Sequence, residues 1–126
     1  MLLITPRRHA DERGVLTDVY RADVLAAPGL AERCVQGNLV CCHQCGVLSG
    51  LRFQAPPHAQ GKLVRCARGS IWNVVVDIRA GSPCYGRHVA AALSAETSRL
   101  MWIPAGFSDG YLTLEAGCEV VYQPTD

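Results

Sequence analysis

Residues 46–87 read GVLSGLRFQAPPHAQGKLVRCARGSIWNVVVDIRAGSPCYGR, and the stretch Ile71 to Ile78 inside that run decides the fold class. Its side chains alternate with a period of two. Trp72, Val74, Val76 and Ile78 fall on one face, and Ile71, Asn73, Val75 and Asp77 on the other. A helix would repeat every 3.6 residues, so this pattern reads as a strand. Asn73 and Asp77 on the second face point to a polar-lined cavity or to solvent. Turn chemistry bounds the strand on both sides, at Ala67-Arg68-Gly69-Ser70 and Ala80-Gly81-Ser82-Pro83.

Working outward, short runs rich in Val, Leu, Ile and Thr predict strands at Val15–Tyr20, Val35–Val40, Val47–Phe53, Lys62–Ala67, Gly86–Ala91, Arg99–Ile103, Gly110–Leu114 and Glu119–Gln123. Pro104-Ala105-Gly106 adds another turn. Only Ala22–Ala27 and Ala91–Thr97 are expected to form brief helical turns. No repeat, low-complexity tract or linker divides the chain, so residues 1–126 are expected to form one all-β domain, a closed or nearly closed barrel.

Composition narrows the partners. Apolar residues make up 49% of the chain, and 12 basic against 11 acidic residues leave a net charge of +1. No basic block is present, which argues against nucleic acid and against an anionic membrane surface. No apolar run approaches the ~20 residues of a membrane-spanning helix. The N-terminus, MLLITPRRHADERG, turns polar too soon for a secretory signal, so a cytoplasmic protein is expected. Seven cysteines (Cys34, Cys41, Cys42, Cys45, Cys66, Cys84, Cys118) are an odd count, consistent with reduced thiols. Cys42 and Cys45 have C-x-x-C spacing, but no second pair completes a zinc site. His9, His43, His58 and His88 show no H-x-H spacing, and no cofactor or metal is expected.

Several segments in fixed order carry a resemblance: Asp11-Glu12-Arg13-Gly14, Gln36-Gly37-Asn38, Gly46-Val47-Leu48, Gln60-Gly61-Lys62-Leu63-Val64-Arg65, Asp77-Ile78-Arg79, Gly81-Ser82-Pro83, Leu93-Ser94, Trp102-Ile103-Pro104-Ala105-Gly106-Phe107 and Val121-Tyr122. From about Asp11 to Gln123 the chain resembles the dTDP-4-dehydrorhamnose 3,5-epimerase family, which acts on dTDP-4-keto-6-deoxyglucose. The resemblance implies a cupin-type jelly-roll β-barrel without metal, commonly a homodimer that exchanges N-terminal strands. It also implies that the C-terminal part of the family lies beyond residue 126.

The chemistry so implied removes a proton beside a ketone and returns one on the opposite face. It needs a base, an opposing acid and a cation for the enolate oxygen. The family base is the histidine of R-G-L-H, where this chain reads Ser49-Gly50-Leu51-Arg52. A guanidinium stays protonated at working pH and cannot accept the proton. The aspartate that orients the family histidine would lie beyond residue 126. The histidine of G-F-x-H-G is replaced by Asp109. Tyr122 matches the family's acid and Lys62 the lysine beside the substrate oxygen. Tyr122, Lys62 and Arg52 are therefore the candidate catalytic residues, with Lys62 and Arg52 gripping an oxyanion. A phenol is a weak acid–base group near neutrality unless a cation lowers its pKa.

Recognition of a nucleotide is altered as well. The family's D-x-R-G-x-F-x-E motif keeps Arg13 here but carries Leu16 and Asp18 in the aromatic and carboxylate places. Ser49 stands where the family has an arginine that contacts diphosphate, removing a bidentate clamp. Arg13, Gln36, Ser49, Gln54, Asn73, Asp109 and His43 form the candidate substrate-binding set. A His43–Asp109 pair would supply a new base; two unrelated loop residues is the plainer reading. His58, in a loop shared with the family, reads as structural. The changes point to a small-molecule isomerase or cyclase of specialised metabolism acting on a carbonyl-bearing substrate. A dTDP-4-keto-6-deoxysugar 3- or 3,5-epimerase and a non-catalytic ligand-binding cupin are the alternatives.

Overall fold

The structure, a computed structural model, describes residues 1–26, 30 and 32–126. In chain order it forms β1 (Leu2–Ile4), β2 (Arg8–Asp11), β3 (Gly14–Thr17), α1 (Ala22–Ala26), β4 (Asn38–Cys42), β5 (Leu48–Arg52), β6 (Lys62–Arg68), β7 (Ser70–Asp77), β8 (His88–Ser94), β9 (Leu100–Ile103), β10 (Phe107–Thr113) and β11 (Cys118–Pro124). Two antiparallel sheets face each other, one ordered β1-β9-β6-β11-β4 and the other β5-β10-β7-β8. The β2–β3 hairpin is a separate two-stranded sheet. This is the cupin-type jelly roll that the resemblance implies. Among the described residues, no helix is long and apolar enough to cross a membrane.

Between the sheets the inward faces of seven strands interlock. Cys42 of β4, Val64 and Cys66 of β6, Ile71 and Val75 of β7, Leu93 of β8, Met101 and Ile103 of β9, Tyr111 of β10, and Cys118 and Val120 of β11 form one buried cluster. Burying an aliphatic side chain of this size contributes about 1.5–3 kcal/mol before the entropic cost of ordering is set against it.

Strand β7 has the expected alternation, but its polar face needs a correction. Ile71, Asn73 and Val75 are each 0% exposed, whereas Trp72 on the opposite face is 43% exposed. Asn73 and Asp77 thus belong to the packed interior, not to a wet cavity. Asp77 is satisfied by hydrogen bonds, whereas Asn73 uses its amide nitrogen and its Oδ1 has no partner among the described residues. Asn73 Nδ2 donates to the Gly110 carbonyl at 2.9 Å. Asp77 accepts from Arg79 Nε at 3.0 Å, Arg79 Nη2 at 2.7 Å and the Ser82 hydroxyl at 2.7 Å.

The helical turn expected at Ala91–Thr97 is instead strand as far as Ser94. Ser70 through Val76 pair with Ser94 through His88, and Leu93 is fully buried. Tertiary pairing overrides the helix preference of an alanine run. The turn expected at Ala22–Ala27 is helical over Ala22–Ala26, with Ala27 outside the described residues. Strands β1 and β2 were not expected. β1 pairs with β9 (Leu3 opposite Met101), and among the described residues β2 pairs with β3 alone.

One irregularity matters for the site. Pairing runs Asp109↔Arg52 and then Tyr111↔Ser49, so Gly50 and Leu51 of β5 together oppose Gly110 of β10. The backbones touch there. A Cβ on Gly50 would lie 2.6 Å from Gly110 Cα, and one on Gly110 would lie 2.7 Å from the Ser49 carbonyl oxygen. Gly50 also has φ +120, a conformation open essentially to glycine alone. Bulges of this type re-aim neighbouring side chains.

Candidate active site

A cavity of about 710 Å³ opens between the two sheets. One wall is a single face of the larger sheet, carrying Asn38 and Val40 of β4, Val120, Tyr122 and Pro124 of β11, and Lys62 and Val64 of β6. Strand register explains the grouping: Tyr122 lies opposite both Asn38 and Val64, and Pro124 lies opposite Lys62. Tyr122 and Lys62 are diagonal neighbours on that face. The facing wall carries Ser49 to Arg52 of β5 and Asp109 to Tyr111 of β10, with Phe53, Gln54, Gln60 and Gln36 also lining the space.

Lys62 Nζ reaches from one wall to the other and contacts Asp109 Oδ1 at 2.7 Å. The two side chains are 12% and 11% exposed, so water screens this ion pair far less than a surface pair. Among the described residues no hydrogen bond engages Asp109 Oδ2. Arg52 lines the cavity beside Asp109, opposite it in the β5–β10 pairing. Burial pushes the Tyr111 phenol above its ordinary value, helped by the Cys42 thiol 3.8 Å from its oxygen, while Ser49 and Arg52 pull the other way. At the rim, Gln36 Nε2 donates to Asn38 Oδ1 at 2.7 Å, and Gln60 Nε2 donates to the Asp126 carbonyl at 2.7 Å.

Of the candidates read from sequence, Tyr122, Lys62, Arg52, Gln36, Ser49, Gln54 and Asp109 share this cavity. Three others lie elsewhere. Asn73 is buried behind the wall, where it holds the Gly110 carbonyl. His43 is exposed just past the end of β4 remote from Asn38, and Asp109 is paired with Lys62, so no His43–Asp109 pair forms. Arg13 sits at the β2–β3 turn, its guanidinium on Asp11 at 2.7 Å. The two halves of the C-x-x-C pair are also divided. Cys42 packs in the core, while Cys45 is exposed.

Tyr111, Asn38 and Gln60 line the cavity without having been singled out. A signal existed for two of them. Tyr111 follows Asp109 by two residues and Asn38 follows Gln36 by two, the spacing that puts strand residues on one face.

The sequence profile described as dTDP-4-dehydrorhamnose 3,5-epimerase matches residues 1–126. The chain belongs to this family. It is 44% identical to the dTDP-4-dehydrorhamnose 3,5-epimerase of Sinorhizobium fredii over 98% of its own length and 63% of the relative's. The chain therefore spans under two thirds of that enzyme. The Bacillus anthracis dTDP-4-dehydrorhamnose 3,5-epimerase, solved with TDP and PPi bound, superposes with a TM-score of 0.96 at 35% identity, covering 98% of this chain and 71% of that one. The Legionella pneumophila dTDP-6-deoxy-D-glucose-3,5-epimerase, solved in complex with dTDP-4-keto-L-rhamnose, gives 0.94 at 40% identity over 98% and 65%. Ser49, Arg52 and Asp109, the positions where the resemblance implies other residues, all fall on one cavity wall.

Proposed function

We propose that this chain carries an epimerase-type activity on a dTDP-4-keto-6-deoxyhexose, inverting the carbon at position 3, or at positions 3 and 5, beside the 4-ketone. The observation that carries the reading is the placement of Tyr122 and Lys62 on one face of one sheet, with Arg52 on the facing wall of the same cavity. The ketone oxygen would lie against the Lys62 ammonium and the Arg52 guanidinium, which stabilise the negative charge that develops as the neighbouring C–H bond breaks. Tyr122 would deliver a proton to the carbon from the side of the larger sheet. Sequence identity to enzymes named for this reaction supports the same substrate class.

The test is solvent exchange. Incubated in D2O with dTDP-4-keto-6-deoxyglucose, the protein should introduce deuterium at C3, or at C3 and C5, as followed by proton NMR. Exchange no faster than in buffer alone would overturn the reading.

A second reading, an isomerase or cyclase acting on a different carbonyl compound, is favoured by Ser49 and Leu16, which replace the family's diphosphate clamp and aromatic. Titration with dTDP separates the two. Binding in the micromolar range supports the sugar nucleotide, and no detectable binding supports the other substrate.

A homodimer is the partner that best fits the β2–β3 hairpin. Val15 and Leu16 on it are 52% and 67% exposed, and no other strand among the described residues pairs with it. A second copy seated there would cover these side chains and bring Arg13 toward a neighbouring cavity. Light scattering at micromolar concentration reads the mass directly.

A further inference from the structure

We propose that Asp109 is the proton acceptor of this site, taking the role that the family gives to the histidine replaced by Arg52. The inference rests on the epimerase reading and names the group that reading lacks.

The cavity's ionisable side chains are Arg52, Lys62, Asp109, Tyr111, Tyr122 and Asp126. Arg52 and Lys62 are cations and serve the oxygen rather than the proton. Tyr111 is turned toward the Cys42 thiol at 3.8 Å. Asp126 is half exposed at the rim, facing His58 Nδ1 at 3.4 Å. Asp109 is the carboxylate held inside.

Inversion needs the acceptor and the donor on opposite faces of the same carbon. Asp109 projects from β10 in one sheet and Tyr122 from β11 in the other, so the two groups face the cavity from opposing walls. Without this opposition the proton would return to the face it left.

Lys62 engages Oδ1 and leaves Oδ2 without a hydrogen bond, a carboxylate fixed at one oxygen and free at the other. An ammonium has three N–H donors, so Lys62 can hold Asp109 and still donate to the ketone oxygen. The backbone beneath Asp109 is equally constrained. The bulge opposite Gly110, the Gly50–Gly110 contact and the Asn73 hydrogen bond set the course of β10 beside the carboxylate. A reactive group supported this closely pays little reorganisation at the moment of reaction.

The step balances as follows. The C–H bond beside the ketone breaks and its proton passes to Asp109 Oδ2. The electron pair forms the carbon–carbon double bond of an enolate, its charge on the oxygen held by Lys62 and Arg52. Tyr122 then gives its hydroxyl proton to the opposite face of that carbon, and the ketone re-forms. Asp109 has gained one proton and Tyr122 has lost one; exchange with water in the open cavity restores both.

The test is Asp109→Asn, assayed by deuterium incorporation into dTDP-4-keto-6-deoxyglucose alongside dTDP binding. Exchange should fall by about a hundredfold or more, the usual effect of losing a general base, with dTDP affinity within a few fold of wild type. Asp109→Asn exchanging at the wild-type rate overturns Asp109 as acceptor and leaves the epimerase reading intact. Absence of exchange in the wild type overturns both. Should that variant fail to fold, Asp109→Ser is assayed in the same way, and exchange at the wild-type rate refutes the assignment.

Discussion

Lys62 on β6 and Asp109 on β10 tie the two sheets of the barrel together through one ion pair of 2.7 Å at the cavity wall. The pair is a structural bridge and, in the proposed mechanism, the chemical centre of the site. Removing one partner strands the other charge in a poorly hydrated place. Lys62→Met should therefore destabilise the protein by about 3 kcal/mol, whereas Lys62→Met combined with Asp109→Leu should recover most of that loss. Urea unfolding of the two single variants and the double variant measures both outcomes. A loss in the double variant equal to the sum of the two single losses would show that the pair contributes little.

Gly110 is where packing and chemistry meet. A methyl group there would press on the Ser49 carbonyl oxygen at 2.7 Å, a backbone atom that cannot swing aside. Gly110→Ala should cost about 1–3 kcal/mol in stability and displace the neighbouring Asp109. Gly81→Ala is the informative contrast. It has no neighbouring atom within 4 Å, so its cost comes from its positive φ alone and leaves the exchange rate unchanged.

Tyr122→Phe removes the donor while sparing the acceptor. Deuterium exchange should continue by return of the proton from Asp109, but inversion should fall by about a hundredfold. NMR of the recovered sugar separates the two, because exchange with retention and exchange with inversion give different products. Unchanged inversion would remove Tyr122 from the mechanism.

Arg52→His, made in the Asp109→Asn background, returns an imidazole to the family's position. Partial rescue of exchange is expected, rising with pH as the imidazole loses its proton. The readout is the pH profile as well as the rate.

Stability at low pH should be governed in part by Asp77. Hydrogen bonds from the Arg79 side chain, followed by those from the Arg79 backbone and Ser82, hold its carboxyl well below the usual value of 3.8. The folded state therefore prefers the ionised form. That contribution is fully present above pH 3.8 and is lost as the pH falls below it. Asp77→Asn should be less stable than wild type at pH 7, with the gap narrowing on acidification. Thermal unfolding at stepped pH values follows it.

Thiol labelling should read the packing directly. Cys41, Cys45 and Cys84 are exposed, while Cys42, Cys66 and Cys118 are buried. Burial pushes the Cys66 thiol up to about 11, so little reactive thiolate exists at neutral pH. Native protein treated with iodoacetamide should label the first three and spare the last three, as mapped by peptide mass spectrometry.

The barrel was legible because a period of two is a local signal, and each of the nine expected strands has a counterpart. β2 escaped notice because Arg8-His9-Ala10-Asp11 is exposed throughout and carries no hydrophobic alternation. β1 is a three-residue edge strand whose partner lies almost a hundred residues away. In the site, the resemblance brought Tyr122, Lys62 and Arg52 to one cavity. It could not indicate that Asp109 would meet Lys62 instead of His43, because that pairing depends on how two sheets face each other. Asn73 misled for a related reason. Alternation says which residues share a face, but the depth of that face under the opposing sheet is a property of the whole fold.

The bond between Lys62 and Asp109 also couples what the two positions can carry. Exchanging Asp109 alone for histidine would set an imidazole against an ammonium with its counter-ion gone. Exchanging Lys62 alone for an apolar residue would leave the Asp109 carboxylate unmatched at the same wall. Each identity is held by the other, and the two positions are expected to change together or not at all.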